Sequence, residues 1–137
     1  MQVHPYLLFD GRCEEAIEFY RRALGAEVTA LMRNKDNPEA HAPGMVPPGT
    51  ENKVLHASFR VGGSTVMASD GRSEGRPNFQ GFSLALHLKG VAEAERIFCE
   101  LSQGGKVTVP LEKTFWAERF GMVVDRFGIP WAINCEK

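Results

Sequence analysis

The chain has 137 residues, of which 43% are hydrophobic and 24% are charged. That length suits one domain able to bury a core without disulfides or metals, and the ordinary composition excludes wholesale disorder. The 16 Lys and Arg residues nearly balance the 17 Asp and Glu residues, giving a formal net charge of −1. Because no run of basic residues stands out either, the sequence predicts no nucleic-acid partner.

No segment approaches the roughly 20 consecutive apolar residues that a membrane-spanning helix needs, so no membrane partner is expected. The first segment is too charged after Phe9 for a secretion signal. Three cysteines, Cys13, Cys99 and Cys135, lie far apart along the chain. A scattered, odd set is typical of reduced thiols, so the sequence predicts a cytoplasmic protein.

The predicted elements of the first half follow the order β, α, β, β, β. An amphipathic pattern after the first strand predicts a helix that ends at Gly25, which suits a left-handed helix cap. Gly62-Gly63 predicts a hairpin turn between the last two strands. Period-two alternation predicts the four strands over 3–9, 27–33, 54–61 and 65–69.

The second half repeats this order. Its helix is predicted to end at Gly104-Gly105, and Phe127-Gly128 marks its last turn. Its strands are predicted over 82–88, 106–111, 115–125 and 130–135. Aligning 11–28 with 90–107 without a gap matches the glycines at both helix ends and an aromatic residue on the inner face. We therefore predict a single α+β domain, 1–137, built of two βαβββ modules at about 1–70 and 81–137, joined by a polar loop.

Two segments interrupt the pattern. Residues 35–52 are rich in proline and glycine, and residues 71–80 are polar and glycine-rich. Loops of this length are lids, partner contacts or disordered segments, and composition does not decide between these roles.

Alternation along the strands also separates two sheet faces. One face carries large apolar residues and packs under a helix, whereas the opposite face, called here the second face, is predicted to carry small polar groups. A surface of small polar groups suits the binding of a small molecule. On the third, fifth and last strands the predicted second-face residues are His56, Ser58, Arg60, Ser83, Ala85, His87, Pro130, Ala132 and Asn134.

Six residues are candidates for a site. His56 is the candidate catalytic residue, because an imidazole exchanges protons near neutral pH; the alternative interpretation is a histidine bonded to a neighbouring strand. Arg33 and Arg60 could each pair with a carboxylate or phosphate, which would suit an anionic small molecule, although an ordinary ion pair is the alternative. The predicted ligand-binding residues are Arg33, Arg60, His87, Trp116 and Asn134.

Motifs that together span nearly the whole chain point to one known superfamily. They are Pro5-Tyr6-Leu7-Leu8-Phe9, Glu15-Ala16-Ile17-Glu18-Phe19-Tyr20, Met32-Arg33, His56-Ala57, Ser69-Asp70, Thr114-Phe115-Trp116 and the segment 125–134. On these motifs the chain resembles the glyoxalase/bleomycin-resistance/extradiol-dioxygenase (vicinal oxygen chelate) superfamily, and more closely its PhnB-like, demethylubiquinone-methyltransferase-like branch. The resemblance implies a cupped, mostly antiparallel eight-stranded sheet with two main helices, commonly in a homodimer.

The same resemblance bears on metal binding. Metal-using relatives take one ligand from the first strand and one from the last strand of each module. The corresponding positions fall at about Pro5, Met67, Ser83 and Ala132, and none of these side chains is a competent ligand for zinc, nickel, manganese or iron(II). We therefore expect no metal and no other cofactor.

Three functions are compatible with these residues. The leading prediction is a small-molecule-binding protein or metal-independent enzyme that uses the second face. One alternative is a metal-dependent lyase, isomerase or dioxygenase using His56 and His87, and another is a non-catalytic protein that sequesters a ligand, as in antibiotic resistance. The fold alone does not choose between them, because this superfamily supports many chemistries.

Overall fold

The computed structural model describes residues 1–38, 49–71 and 77–137. The chain divides into two compact units, Met1–Pro77 and Asn78–Lys137. Parts of both interrupting segments predicted from the sequence, 35–52 and 71–80, lie outside the described residues. No helix in the described ranges is long and apolar enough to cross a membrane.

The first unit is a βαβββ module. Its elements are β1 (Tyr6–Leu8), α1 (Cys13–Leu24), β2 (Glu27–Arg33), a short 3-10 helix (Asn34–Asp36), β3 (Val54–Val61) and β4 (Ser64–Ser69). The strands form one sheet in the order β1-β4-β3-β2. The pairing of β1 with β4 is parallel, and the other two pairings are antiparallel.

Helix α1 covers the core face of this sheet because its apolar residues recur at helical spacing. Tyr20 is fully buried, and its ring stacks on that of Phe59 with the centroids 5.9 Å apart. The helix ends at Gly25, where φ is 67° and the amide donates to the carbonyl of Arg21. The buried residues of α1 are Cys13, Ala16, Ile17, Phe19, Tyr20 and Ala23.

The second unit repeats the module. Its elements are β5 (Leu84–Leu88), α2 (Val91–Ser102), β6 (Lys106–Glu112), β7 (Ala117–Val124) and β8 (Pro130–Glu136). The sheet has the order β5-β8-β7-β6, again with the first pairing parallel and the other two antiparallel. Ala94, Ile97 and Leu101 of α2 are buried.

These elements confirm the α+β class, the paired βαβββ modules and the two main helices. In the described parts of the chain, eight strands lie in two four-stranded sheets, each with one parallel and two antiparallel pairings. The first strand is shorter than predicted, because only Tyr6–Leu8 of the alternating segment pairs with a neighbour and Val3 is 92% exposed.

Candidate functional site

His56 lies on β3, on the second face of the first sheet. Its Nδ1 atom is 3.3 Å from the hydroxyl oxygen of Tyr6 on β1, and its Nε2 atom is 3.5 Å from Oγ of Ser58. The rings of Tyr6 and His56 meet edge to face, with their centroids 5.5 Å apart. Side chains from β1 and β3 therefore hold the imidazole, which in its neutral form has one donor and one acceptor nitrogen.

Large apolar side chains share this face with His56. Tyr6 and Leu8 are each 49% exposed, and Met32, which pairs with His56 across β2 and β3, is 44% exposed. The second face of the first sheet is thus more apolar than the sequence predicted. Apolar surface around a few polar groups is the usual composition of a small-molecule site.

Tyr6 is the residue that sequence reasoning missed. The signal was present in the alternation of β1, because Leu7 is buried and its neighbours Tyr6 and Leu8 must then point to the opposite face. What alternation could not supply is the strand order, which places β1 beside β4 and brings Tyr6 within reach of His56.

The two arginines make ion pairs within the protein. Nη2 of Arg60 is 3.2 Å from Oε2 of Glu27, which lies directly opposite on β2. Nη2 of Arg33 is 2.7 Å from Oε2 of Glu14 on α1, and its Nη1 donates to the carbonyl of Asn52. The structure therefore joins Arg33 to α1 and does not bring it together with His56; a ligand role for either arginine stays a prediction.

Arg33 borders a cavity of about 250 Å³ beside the first turn of α1. The charged residues of its wall are already engaged with protein groups. Lys53 Nζ donates to the carbonyl of Gly11, Arg12 pairs with Glu15, and Arg33 pairs with Glu14. The hydrogen bond from Arg33, more than the charge of the guanidinium, lowers the pKa of Glu14.

His87 and Asn134 are neighbours on the second face of the second sheet. The register pairs them directly across β5 and β8, and Asn134 Nδ2 is 3.4 Å from His87 Nδ1. Asn134 Oδ1 is shielded from solvent and has no hydrogen-bond partner among the described residues. The structure thus brings two of the predicted ligand-binding residues, Asn134 and His87, into contact, and their ligand role stays a prediction.

Trp116 lies just before β7 and stands among aromatic rings. Its ring centroid is 5.4 Å from that of Phe120 and 4.9 Å from that of Phe115, both in edge-to-face geometry. Trp116 is 49% exposed and Phe115 is 87% exposed. Of the six candidates, His56, Arg33 and Arg60 thus lie in the first unit and His87, Trp116 and Asn134 in the second, where His87 and Asn134 touch.

The four predicted metal positions can now be checked against the strand register. Met67 pairs with Tyr6, and Ala132 pairs with Ala85, so the first-strand positions lie one or two residues beyond Pro5 and Ser83. None of these side chains offers an imidazole or carboxylate, and the described residues contain no group of three or more His, Cys, Asp or Glu side chains able to hold a metal ion. The residues of the described chain therefore do not fit the metal that the superfamily implies.

Asp70 is a structural residue at the end of β4. Its Oδ1 accepts a hydrogen bond from the amide of Cys13, at the start of α1, and its Oδ2 accepts one from the amide of Val54, each at 2.7 Å. Cys13 is fully buried next to it. Burial, and then the nearby charges of Asp70 and Glu14, raise the pKa of the Cys13 thiol to about 12, which favours the protonated thiol near neutral pH.

The fold defines the class of protein: an α+β protein with the paired βαβββ fold of the glyoxalase/bleomycin-resistance/dioxygenase superfamily. Its fold is similar to a glyoxylase/bleomycin resistance protein/dioxygenase domain from Frankia sp. EAN1pec, with 14% identity, a TM-score of 0.64 and coverage of 100% of this chain and 98% of that one. This likeness concerns the fold alone.

Within that superfamily the chain belongs to the PhnB-like family, whose model, described as 3-demethylubiquinone-9 3-methyltransferase, matches residues 1–134. It is 39% identical to Protein YjdN of Escherichia coli over 144 residues, covering 100% of this chain and 97% of YjdN. It is also similar to the crystal structure of protein PA1353 from Pseudomonas aeruginosa, with 41% identity, a TM-score of 0.86 and coverage of 99% and 98% of the two chains.

A PhnB protein from Bacillus cereus, which also carries the 3-demethylubiquinone-9 3-methyltransferase description, is 26% identical to this chain. The TM-score is 0.81, and the match covers 98% of this chain and 99% of that one. The resemblance stated from the sequence motifs is therefore confirmed at both levels, superfamily and branch.

Proposed function

We propose that the protein binds a small organic molecule on the second face of the first sheet, with His56 as the polar anchor. The observation that supports the proposal is the imidazole held by Tyr6 and Ser58 among exposed apolar side chains. A ligand covering Tyr6, Leu8 and Met32 would gain about 25 cal/mol for each Å² of apolar surface removed from water. A hydrogen bond to His56 would fix its orientation.

The finer part of the proposal is metal-independent acid–base catalysis by His56. The Tyr6 hydroxyl lies against Nδ1, so the ring can be held while Nε2 exchanges a proton with a bound molecule. Non-catalytic sequestration of the same ligand is the competing function, since binding alone needs no proton transfer.

Binding can be tested with a fragment library followed in ¹H–¹⁵N NMR spectra. We expect bound fragments to shift resonances of Tyr6, His56 and Met32, and His56→Gln to weaken their affinity at least about fivefold through the lost hydrogen bond. His4→Gln is the matched control, because the His4 ring contacts only the nearby Gln2 side chain in the contacts described. Fragments that bind elsewhere, or equally well to the His56 variant, would contradict the proposal.

Catalysis is separated from sequestration by following each bound compound with mass spectrometry. Conversion by the wild type that is lost in His56→Ala supports an enzyme. No conversion, by the wild type, of a compound that it binds at this site supports sequestration.

The proposal includes no metal. It is supported by the side chains at the superfamily's ligand positions, where Tyr6, Met67, Ala85 and Ala132 offer no imidazole or carboxylate. We expect the purified protein to contain no bound metal and its Tm not to change with zinc, nickel, manganese or iron(II). One equivalent of metal per chain with a marked rise in Tm would overturn this part.

We also propose a homodimer in the cytoplasm. The dimer is supported by the superfamily resemblance, and the compartment by the three free thiols of Cys13, Cys99 and Cys135. Sedimentation equilibrium at several concentrations tests the first point, and a monomer at every concentration would contradict it. Fractionation of cells that express the protein tests the second, and recovery from a non-cytoplasmic fraction would contradict it.

A further inference from the structure

One row of side chains crosses the second sheet from edge to edge. The register pairs Glu112 of β6 with Phe120 of β7, Phe120 with Asn134 of β8, and Asn134 with His87 of β5. Directly paired residues project from the same face of a sheet. The second face of this sheet therefore presents a carboxylate, an aromatic ring, an amide and an imidazole in a line.

The side-chain amide of Asn134 leaves its oxygen without a hydrogen bond to any described residue, which costs free energy. Its Oδ1 atom is buried and unpartnered within the described ranges. An unpaired buried acceptor costs about 1–3 kcal/mol, and native proteins contain few. Turning the amide over would place an NH₂ group with two donors in the same buried position, which is less favourable still. The present orientation, with Nδ2 towards His87, is therefore the preferred one.

This orientation favours one neutral tautomer of His87. Because the Nδ2 group of Asn134 can only donate, Nδ1 of His87 must accept, and the neutral ring then carries its proton on Nε2. His87 is exposed, so its Nε2–H is open to a molecule on the second face. Asn134 is thus a positioning residue that prepares His87 as a hydrogen-bond donor.

The aromatic part of the row lies towards the opposite edge. Trp116, which is 49% exposed, contacts Phe120 and offers a face on which a flat ring can stack. Phe120 and His87 are separated by two strand spacings, about 9–10 Å. Glu112 lies beyond Phe120 and repels anions, so an acceptor on a ligand would point towards His87.

We propose that this row, together with Trp116, binds a planar aromatic molecule of about two fused rings that carries a carbonyl or carboxylate acceptor. The rings stack on Trp116 and meet Phe120 at an angle, and the acceptor receives the hydrogen bond from His87 Nε2. The site lies in the second unit and does not depend on the function proposed for His56.

The test is a titration with 2-naphthoate, which combines two fused rings with a carboxylate, followed in ¹H–¹⁵N spectra. We expect shifts at the Trp116 indole and the Asn134 side-chain amide. Trp116→Ala should weaken binding about fivefold through lost stacking, and His87→Ala about tenfold through the lost hydrogen bond. Decalin-2-carboxylate, which keeps the acceptor and loses the flat rings, should bind at least about fivefold more weakly.

Two controls separate this site from a general apolar effect. Phe82→Leu removes another exposed aromatic ring, which lies two residues before β5 and five residues before His87, and should leave the affinity unchanged. Long-range ¹H–¹⁵N spectra of the His87 ring should show the Nε2–H form in the wild type and a mixture of tautomers in Asn134→Ala, a change that a packing role would not produce.

Four results would overturn the proposal. The first is no binding of 2-naphthoate at its solubility limit. The second is an affinity unaffected by Trp116→Ala and His87→Ala. The third is a His87 ring protonated on Nδ1 in the wild type. Shifts confined to Tyr6 and His56 would also overturn it, while supporting the function proposed for the first unit.

Discussion

The two βαβββ units share one topology and differ in the chemistry of their second faces. The first carries its histidine on the third strand of the module, where His56 contacts Tyr6 of the first strand. The second carries its histidine on the first strand, where His87 contacts Asn134 of the last strand. Equivalent sheets therefore present an imidazole at different places, each held by a different partner.

The core faces of the two units have diverged less. Counted from the first residues of the two helices, Cys13 and Val91, the equivalent positions Ala16/Ala94, Phe19/Ile97 and Ala23/Leu101 are all buried. The ungapped alignment of 11–28 with 90–107 is therefore one residue out of step with the helices. Core positions must fit the packing of a helix on a sheet, whereas an exposed face carries no such constraint. The comparison teaches that the repeat specifies the fold of each unit and leaves its surface chemistry free to differ.

The largest effect is expected at the buried aspartates, of which each unit has one at a strand end. Asp70 binds the amides of Cys13 and Val54, and Asp125 binds the amides of Phe127 and Ile129 and the indole of Trp131. Because hydrogen bonds to a charged group contribute about 1.5–3 kcal/mol each, Asp70→Ala should lower the free energy of unfolding by about 3–5 kcal/mol. Urea denaturation measures this, and Asp125→Ala should have an effect at least as large.

Asp36→Ala is the matched control for the buried aspartates. Asp36 accepts one hydrogen bond, at 2.9 Å, from the amide of Arg33 in an exposed position, so its loss should change stability by less than about 1 kcal/mol. If Asp70→Ala lowered the free energy of unfolding no more than Asp36→Ala does, the hydrogen bonds of the Asp70 carboxylate would not contribute measurably to the stability of the first unit.

The next prediction concerns equivalent positions at the centre of each sheet. Ala57 pairs with Ala68 in the first unit, and Gly121 pairs with Ile133 in the second. A Cβ atom at Gly121 would lie 2.8 Å from Cα of Leu111 and 2.9 Å from Cε2 of Phe98. Gly121→Ala should therefore destabilise the protein by about 1–3 kcal/mol through overpacking.

Ala57→Gly is the reverse change in the first unit and needs no new space. It should cost about 0.5–1 kcal/mol through the added freedom of the unfolded chain. Thermal denaturation of both variants tests the pair. If Gly121→Ala were the milder of the two, the close approach of α2 and β6 to Gly121 would not be limiting.

Much of the fold follows from the sequence because periodicity reports burial. The strands 27–33 and 54–61 were predicted with the bounds that the structure has. The end of α2 was predicted at Gly104-Gly105, whereas the helix ends at Ser102 and Gly104 takes a φ of 74° two residues later. The alternation of apolar and polar residues also could not locate the start of β1. That start depends on how many residues of the segment form backbone hydrogen bonds with β4.

The candidate site was predictable only in part, for a physical reason. Alternation placed His56 and His87 on the second face, because that choice depends on each strand alone. The contacts of these histidines depend on strand order, which puts Tyr6 near His56 and Asn134 beside His87. Arg33 was grouped with His56, but a register shift between Met32 and Arg33 accompanies its pairing with Glu14.

A smaller, pH-dependent effect is expected at the first turn of α1. Cys13, the first residue of α1, is fully buried there, whereas Val91, the first residue of α2, is only partly buried. The pKa of Cys13 is raised from 9.0 to about 12 in the folded protein. Between pH 9 and pH 12 the thiol ionises in the unfolded chain but not in the folded one. The contribution of Cys13 to the free energy of unfolding is therefore complete below pH 9 and declines as the pH rises towards 12, by up to about 1.4 kcal/mol per pH unit.

The difference in unfolding free energy between wild type and Cys13→Ala, measured by urea denaturation from pH 8 to 11, isolates this thiol from other groups that titrate there. The difference should change steadily above pH 9. A constant difference would mean that the thiol ionises as readily in the folded chain as in the unfolded one. Alkylation at pH 8 gives a second readout, in which exposed Cys99 reacts and Cys13 does not.

The smallest effect is expected at the ion pairs that join each helix to its sheet. Glu14 pairs with Arg33 at 2.7 Å in the first unit, and Glu95 pairs with Arg119 at 3.6 Å in the second. The pKa of Glu14 is lowered from 4.5 in the folded protein, chiefly by its hydrogen bond to Arg33. The contribution of Glu14 to the free energy of unfolding is therefore present above pH 4.5 and is lost as the pH falls through the pKa of the folded state. Since the Glu14 side chain is 61% exposed, Glu14→Gln should cost about 0.5 kcal/mol at pH 7 and close to nothing at pH 3.

Glu95→Gln is the matched change in the second unit. Because Glu95 lies farther from Arg119 than Glu14 lies from Arg33, we expect Glu95→Gln to lower the free energy of unfolding less than Glu14→Gln does. Urea denaturation of both variants and the wild type at pH 7 and pH 3 provides the measurement. An equal loss for Glu14→Gln at both pH values would show that the side chain contributes through packing and not through its charge. Arg33 and Glu14 form two parallel hydrogen bonds, whereas Arg119 and Glu95 make one longer contact. Equal losses of unfolding free energy for the two variants at pH 7 would show that the two-bond pair stabilises the first unit no more than the longer pair stabilises the second. The ion pair between helix and sheet would then contribute equally in both units.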